Sequence, residues 1–201
     1  MERKARDQEV WEAFLRDEEG AFESLYLTFV DRLFYYGCRI TSDQALVEDA
    51  IQDTFLKLYR RQGAFRQVEN IRSYLFVTLR NYLHSHRRRS LRRERRQAVF
   101  AGMQAANQPT ASHSGTLHQL REDLKEELAK LPPRQQEILF LKFFEGFDYD
   151  EIGEVMGISY QVARNYLYRG LRQLREEMAP KRHLFTRWIA SFLLLFSFLL
   201  P

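Results

Sequence analysis

The chain has a single cysteine, Cys38, among its 201 residues. That excludes a disulfide scaffold and a cysteine-rich zinc site, and it fits a reducing cytosol. Glycine and proline are also sparse, at nine and five residues, which excludes collagen-like and low-complexity architectures. No apolar run opens the chain, so a secretory signal peptide is not expected. No alternating apolar–polar run suggests a strand. A glycine-rich phosphate loop, a metal-ligand cluster and a nucleophile motif are all missing, so the expectation is a non-enzyme without metal or cofactor. The chain is 45% hydrophobic and 14% aromatic, enough apolar material to exclude wholesale disorder. Its length allows one large domain or two small ones.

The apolar residues follow a helical period. Phe22, Leu25, Tyr26, Phe29, Val30, Leu33 and Phe34 recur at i, i+3, i+4, i+7, which predicts an amphipathic helix. After the turn signal Thr41-Ser42-Asp43, the residues Val47, Ala50, Ile51, Thr54, Phe55, Leu58 and Tyr59 repeat that spacing. A third helix is predicted from Ile71 to Arg88, with Tyr74, Leu75, Thr78, Leu79, Tyr82 and Leu83 inward. The block reads as a helical bundle over residues 1–95. Residues 96–118 are polar, small and nearly free of charge, and read as a flexible linker. A second helical block covers 119–180. There Leu120, Leu124, Leu128 and Leu131 form one stripe, Pro132-Pro133 restart the chain, and Ile138, Leu139, Leu141, Phe143, Phe144 and Phe147 follow.

Charge is unevenly placed. Residues 87–96, RRRSLRRERR, hold seven arginines and one glutamate, and residues 97–120 carry no Asp, Glu, Lys or Arg. Focused arginine is the footprint of a polyanion partner, nucleic acid or a membrane surface, against the plainer reading of a solvated charge run.

The segment FDYDEIGEVMGISYQVARNYLYRGLRQLREEM carries the most specific pattern. Asp148 and Glu151 have the spacing of a capping box. Gly157 permits a left-handed turn, and Ser159 can cap a second, longer helix. On that helix Ala163, Leu167, Leu171 and Leu174, together with Ile158 just before it, fall on one side. Two helices joined by a short glycine-containing turn form a helix-turn-helix. The second helix has no acid between Ser159 and Arg175. Tyr160, Gln161 and Asn165 lie near its start, where a recognition helix meets base edges. Asn and Gln can read adenine and Arg can read guanine, and all three can hold phosphates.

These residues resemble a family. LPPRQQEILFLKFFEGFDYDEIGEVMGISYQVARNYLYRGLRQLRE is similar to region 4 of bacterial sigma factors of the extracytoplasmic-function (ECF) group. VEDAIQDTFLKLYRR looks like the region 2 helix that binds the clamp of core RNA polymerase, and NIRSYLFVTLRNYLHSHRRR like the segment that reads the promoter −10 element. The resemblance implies an all-α fold of two small helical domains and a role in directing core polymerase to promoters. It implies polymerase contacts at Asp49, Gln52, Asp53 and Leu56, an acidic helix face with one exposed leucine. It implies −10 contacts at Arg80, Asn81, His84, Ser85, Arg87 and Arg88, and −35 contacts at Ser159, Tyr160, Gln161, Arg164, Asn165, Tyr168, Arg169 and Arg172. His84 and His86 are two residues apart and share no helix face, which argues against a metal site. The implied partners are core RNA polymerase, promoter DNA and an anti-sigma factor. The competing reading is a stand-alone helix-turn-helix regulator, which leaves the acidic helix face unexplained.

The end of the chain, residues 184–201, is not required by the family pattern. Trp188 to Leu200 is 13 residues without a charge. As a helix it would span roughly 20 Å, short of a hydrocarbon core of roughly 30 Å. A hydrophobic tail helix on a cytoplasmic protein is expected, either associated with the membrane or buried against protein.

Overall fold

The computed structural model describes residues 2–60, 68–98 and 126–178. All regular structure among them is helical. Seven helices can be bounded: α1 Glu2–Leu15, α2 Ala21–Ile40, α3 Gln44–Arg60, α4 Ile71–Ala98, α5 Pro133–Phe143, α6 Tyr149–Met156 and α7 Tyr160–Met178. Residues 126–130 are helical as well. Most of the expected linker and all of the apolar tail, 184–201, lie outside the described residues.

Local chemistry sets the helix starts. Gly20 adopts φ 74° immediately before α2. The Asp43 carboxylate accepts from Leu46 N at 3.0 Å at the head of α3, and Asn70 Oδ1 accepts from Ser73 N at 3.1 Å at the head of α4. Each satisfies an amide that the helix itself leaves unpaired. Pro133 opens α5, where a missing N–H costs nothing.

Helices α1 to α4 form the N-terminal bundle. Helix α2 is its centre, packed against α1, α3 and α4. The predicted stripes supply its core: Leu25, Phe29 and Leu33 from α2; Val47, Ala50, Ile51 and Phe55 from α3; Leu75, Leu79 and Leu83 from α4. Helix α1 was not anticipated, because its apolar residues are few in a charged run. Trp11 and Phe14 are nonetheless buried and stacked at 5.4 Å, and Trp11 Nε1 donates to Val68 O at 3.0 Å. This ties α1 to the segment leading into α4. Helix α4 runs to Ala98, ten residues past the predicted end and three into the expected linker. RRRSLRRERRQA holds no glycine or proline and many good helix formers, and a helix C-terminus favours cations.

Three assignments of side need correction, two inward and one outward. Tyr59 is 64% exposed, because it lies in the last turn of α3 and covers Phe22 with one side of its ring, at 5.1 Å. Phe143 is exposed, and so is Phe144 at 61%; they sit where α5 ends, and Phe144 only stacks outward on Phe140. The third concerns Arg80, placed by the periodicity away from the core. It is tucked under α5, for a reason given below.

In the C-terminal block, α5 and α6 both pack on α7. The capping box is formed: Asp148 Oδ1 accepts from Glu151 N, and Glu151 Oε2 accepts from Asp148 N, both at 2.9 Å. Gly157 takes φ +64° and ends α6. Ser159 Oγ accepts from Val162 N at 3.4 Å and starts α7. Gly153 is required for a different reason: a Cβ there would lie 2.7 Å from Ile158 O. That oxygen is backbone in the turn between the two helices and cannot rotate away. Gly153→Ala is therefore expected to cost about 1–3 kcal/mol of stability, read as a lowered melting temperature with the α7 amides losing hydrogen-exchange protection first.

Candidate nucleic-acid and polymerase interfaces

On α7 the predicted residues share one accessible surface. Tyr160, Gln161, Arg164, Asn165, Tyr168, Arg169 and Arg172 are all exposed, while Ala163 and Leu167 on the opposite side are buried against α5 and α6. Ser159 is exposed, but its hydroxyl is engaged as the helix cap. Tyr160 packs edge-on against Tyr149 at 5.2 Å, fixing the start of the face. Burial raises the Tyr149 hydroxyl above its ordinary range, Tyr160 adds to this, and Arg164 opposes it. Arg172 Nε donates to Glu176 at 2.8 Å, so the last arginine of the set already has an anion beside it. Val162 is exposed at the same end, and the polar pattern of the sequence does not mark it.

Helix α3 brings Asp49, Gln52, Asp53 and Leu56 together at i, i+3, i+4 and i+7. Asp49 and Gln52 are exposed, Asp53 is half-buried and receives a bond from Lys57 Nζ at 2.6 Å, and Leu56 is 44% exposed. Tyr59, misassigned inward, extends the apolar part of this face.

The six residues predicted on α4 divide. Asn81, Arg87 and Arg88 are exposed. Ser85 is half-buried and donates to Tyr82 O at 2.8 Å. His84 is half-buried, and burial lowers its pKa; Arg80 lowers it further while Glu137 opposes. Arg80 faces the C-terminal block, where its Nε donates to Glu137 Oε1 at 2.7 Å.

That pair belongs to a seam between the two blocks. Glu137 Oε1 also accepts from Tyr36 OH at 2.6 Å. Arg32 donates from Nε to Glu145 and from Nη1 to Asp7, each at 2.8 Å. Arg72 Nη2 lies 2.8 and 2.7 Å from the two oxygens of Glu151, and its Nη1 donates to Glu145 O at 3.0 Å. Rings complete the seam: Phe76 meets Phe147 at 5.1 Å, Tyr36 stacks on Phe140 at 6.0 Å, and the Arg72 guanidinium lies 4.1 Å over Phe147. Phe76, fully buried here, is off the bundle's own stripe and so was not legible as core.

Burial alone would raise the Glu151 carboxyl. The Asp148 amide, Arg72 and Asn70 outweigh it and hold the pKa at about 2. A carboxyl depressed on folding stabilises the fold above its unfolded pKa, and the gain is lost as pH falls through the folded value. Stability is thus expected to fall between about pH 4.5 and 2 by about 3 kcal/mol from this group. Acid titration of the melting temperature checks it, and Glu151→Gln should flatten that part of the profile.

Comparison with known proteins gives these surfaces a context. Residues 25–94 match the pattern described as Sigma-70 region 2, and residues 121–174 that of Sigma-70, region 4. The chain belongs to the sigma-70 family of RNA polymerase sigma factors, in its ECF group. RNA polymerase sigma factor CarQ of Myxococcus xanthus is 30% identical over 82% of this chain and 93% of its own length. ECF RNA polymerase sigma factor BldN of Streptomyces coelicolor is 29% identical, over 85% of this chain and 65% of BldN. Among solved structures, the sigma factor RpoE in complex with the anti-sigma factor NepR, from Bartonella quintana, aligns with a TM-score of 0.59. It is 24% identical over 80% of this chain and 98% of that one, a likeness of fold. As a sigma factor the protein is not an enzyme; it directs promoter-specific initiation by core RNA polymerase. The α1–α4 bundle contains region 2 and the α5–α7 block region 4. A stand-alone regulator does not account for region 2.

Proposed function

We propose that this sigma factor divides its work among three helices. The α3 face of Asp49, Gln52, Asp53 and Leu56 docks on core polymerase. Arg80, Asn81, His84, Ser85, Arg87 and Arg88 of α4 contact the −10 element, where exposed cations suit single-stranded DNA. On region 4, Ser159, Tyr160, Gln161, Arg164, Asn165, Tyr168, Arg169 and Arg172 contact the −35 element. The observation that carries the reading is the α7 face: base-reading residue types exposed together on the second helix of a helix-turn-helix, with no acid before Glu176. Run-off transcription with core polymerase on a promoter library tests it. Activity at defined −35 and −10 sequences, lost on substitution of these residues, supports the assignment; a promoter profile indifferent to them removes it.

An anti-sigma factor is the proposed regulatory partner, and the likeness to the RpoE–NepR complex supports it. The proposed site of action is the cytoplasm. No helix among the described residues is long and apolar enough to cross a membrane. The tail at 184–201 is proposed as a signal-responsive restraint that associates with the membrane surface. Lys181, Arg182 and Arg187 stand beside its apolar run, where anionic headgroups attract cations. Truncation after Lys181 is then expected to shift the protein from the membrane fraction to the cytosol and raise basal transcription, leaving polymerase binding intact. Equal partitioning and equal promoter output would sink that role.

A further inference from the structure

The seam between region 2 and region 4 is segregated by charge. Region 4 contributes Glu137, Glu145 and Glu151, all buried, and region 2 contributes Arg32, Arg72 and Arg80. Asp7, the one acid on the region 2 side of these pairs, is held by Arg32 within its own bundle. Buried glutamates are rare without a partner. In a separated region 4, these three carboxylates would lose the guanidinium groups that neutralise them.

The pairing at Arg80 has a further property. The guanidinium reaches both carboxylate oxygens of Glu137, from Nε at 2.7 Å and from Nη2 at 3.4 Å. A forked donor set matched to two oxygens is also how arginine holds phosphate. Glu137 therefore stands where a DNA phosphate would have to sit to use Arg80; it also lies close enough to His84 to oppose the lowering of its pKa, and α6 packs on α4 beside them.

We propose that the closed arrangement is a self-inhibited state, in which Glu137, Glu145 and Glu151 of region 4 act as internal competitors for the arginines of region 2 and mask the α4 flank from DNA. The inference rests on the α4 assignment made above. Its energetics suit a switch. The attraction within a buried ion pair is largely offset by the cost of taking its charges out of water, so opening the seam with both partners intact recovers most of that cost. Among the described residues, Asp7 Oδ2, Arg32 Nη2 and Arg72 Nε are buried at the seam without a hydrogen-bond partner, so closure leaves polar groups unmet. An opening partner needs only to offer the arginines another anion or the glutamates another cation.

The full-length chain with Glu137→Gln, Glu145→Gln and Glu151→Gln tests it. Glutamine serves at the third position of a capping box, so α6 keeps its start while the charges are removed. Circular dichroism first confirms wild-type helicity; if the triple variant melts, Glu137→Gln alone carries the same comparison. Two readouts follow on the free protein: the radius of gyration by small-angle scattering, and affinity for a fluorescein-labelled single-stranded oligonucleotide. The expected result is a larger radius and about tenfold tighter oligonucleotide binding, the gain for a competent state that is about one-tenth populated in the wild type. An unchanged scattering profile overturns the latch. An opened chain with unchanged affinity overturns the masking. Run-off transcription with Arg87→Ala and Arg88→Ala separates that second result from a failed α4 assignment: output is lost if α4 meets the −10 element and kept if it does not.

Discussion

A chain carrying Asp49→Arg and Asp53→Arg is expected to lose association with core RNA polymerase while keeping wild-type helicity. Both residues lie on the accessible side of α3, opposite Val47, Ala50, Ile51 and Phe55, so the substitutions leave the bundle core untouched. Among the described residues, the interaction broken is the Asp53–Lys57 pair at the surface, four residues apart on the helix. Such pairs contribute about 0.3–0.5 kcal/mol, and replacing attraction by repulsion at that spacing costs a similar amount. At a docked surface the sign change acts differently. Like charges placed against each other across an interface cost several kcal/mol, so affinity should fall by at least about a hundredfold. Leu56→Ala should weaken binding less, by removing apolar contact without adding repulsion. Co-purification with core polymerase reads both variants. Retention of the double variant at wild-type level would move the docking site off this face.

The helix-turn-helix was the part most fully legible in the sequence, because its signals are local. The Asp148–Glu151 spacing, Gly157 and Ser159 each act within a few residues, and each has its expected place in the structure. The α2 and α3 stripes were legible for the same reason: a 3.6-residue period declares which side is buried. What stayed hidden depends on partners distant in the chain. Phe76 and Arg80 lie on the side of α4 that the bundle leaves open, and only the arrival of α5 and α6 buries them. Nothing within ten residues of Arg80 announces Glu137. Helix α1 was missed because Trp11 and Phe14 make too short a stripe to stand out among charges, although two large rings suffice to anchor it.

The candidate site shows the same division. On α7 the sequence pattern and the exposed surface coincide, because one helix supplies all the residues. On α4 they separate: Asn81, Arg87 and Arg88 face solvent, whereas Arg80 and His84 face region 4. A residue's side of a helix can be read from periodicity, but its availability depends on what the rest of the chain lays against it.

Replacing Arg164 or Asn165 with alanine is expected to relax or abolish the −35 preference. Both side chains are exposed one turn into α7, whereas Arg172 already donates to Glu176. Alanine therefore removes the base-reading group without disturbing a cap or the core, and α7 should remain folded around Ala163 and Leu167. A good bidentate contact to a base edge discriminates by about 1–3 kcal/mol, so the ratio of run-off from consensus and mismatched −35 sequences should fall by roughly five- to 150-fold at the position read. Arginines within 87–96 are expected to behave differently. Their removal should weaken promoter binding for every sequence alike and flatten its dependence on salt, because contacts to phosphate release counterions and carry no sequence information. Comparing the two classes of variant on one promoter set, at two salt concentrations, separates reading from holding. A −35 profile insensitive to Arg164, Asn165 and Gln161 together would remove α7 from that role.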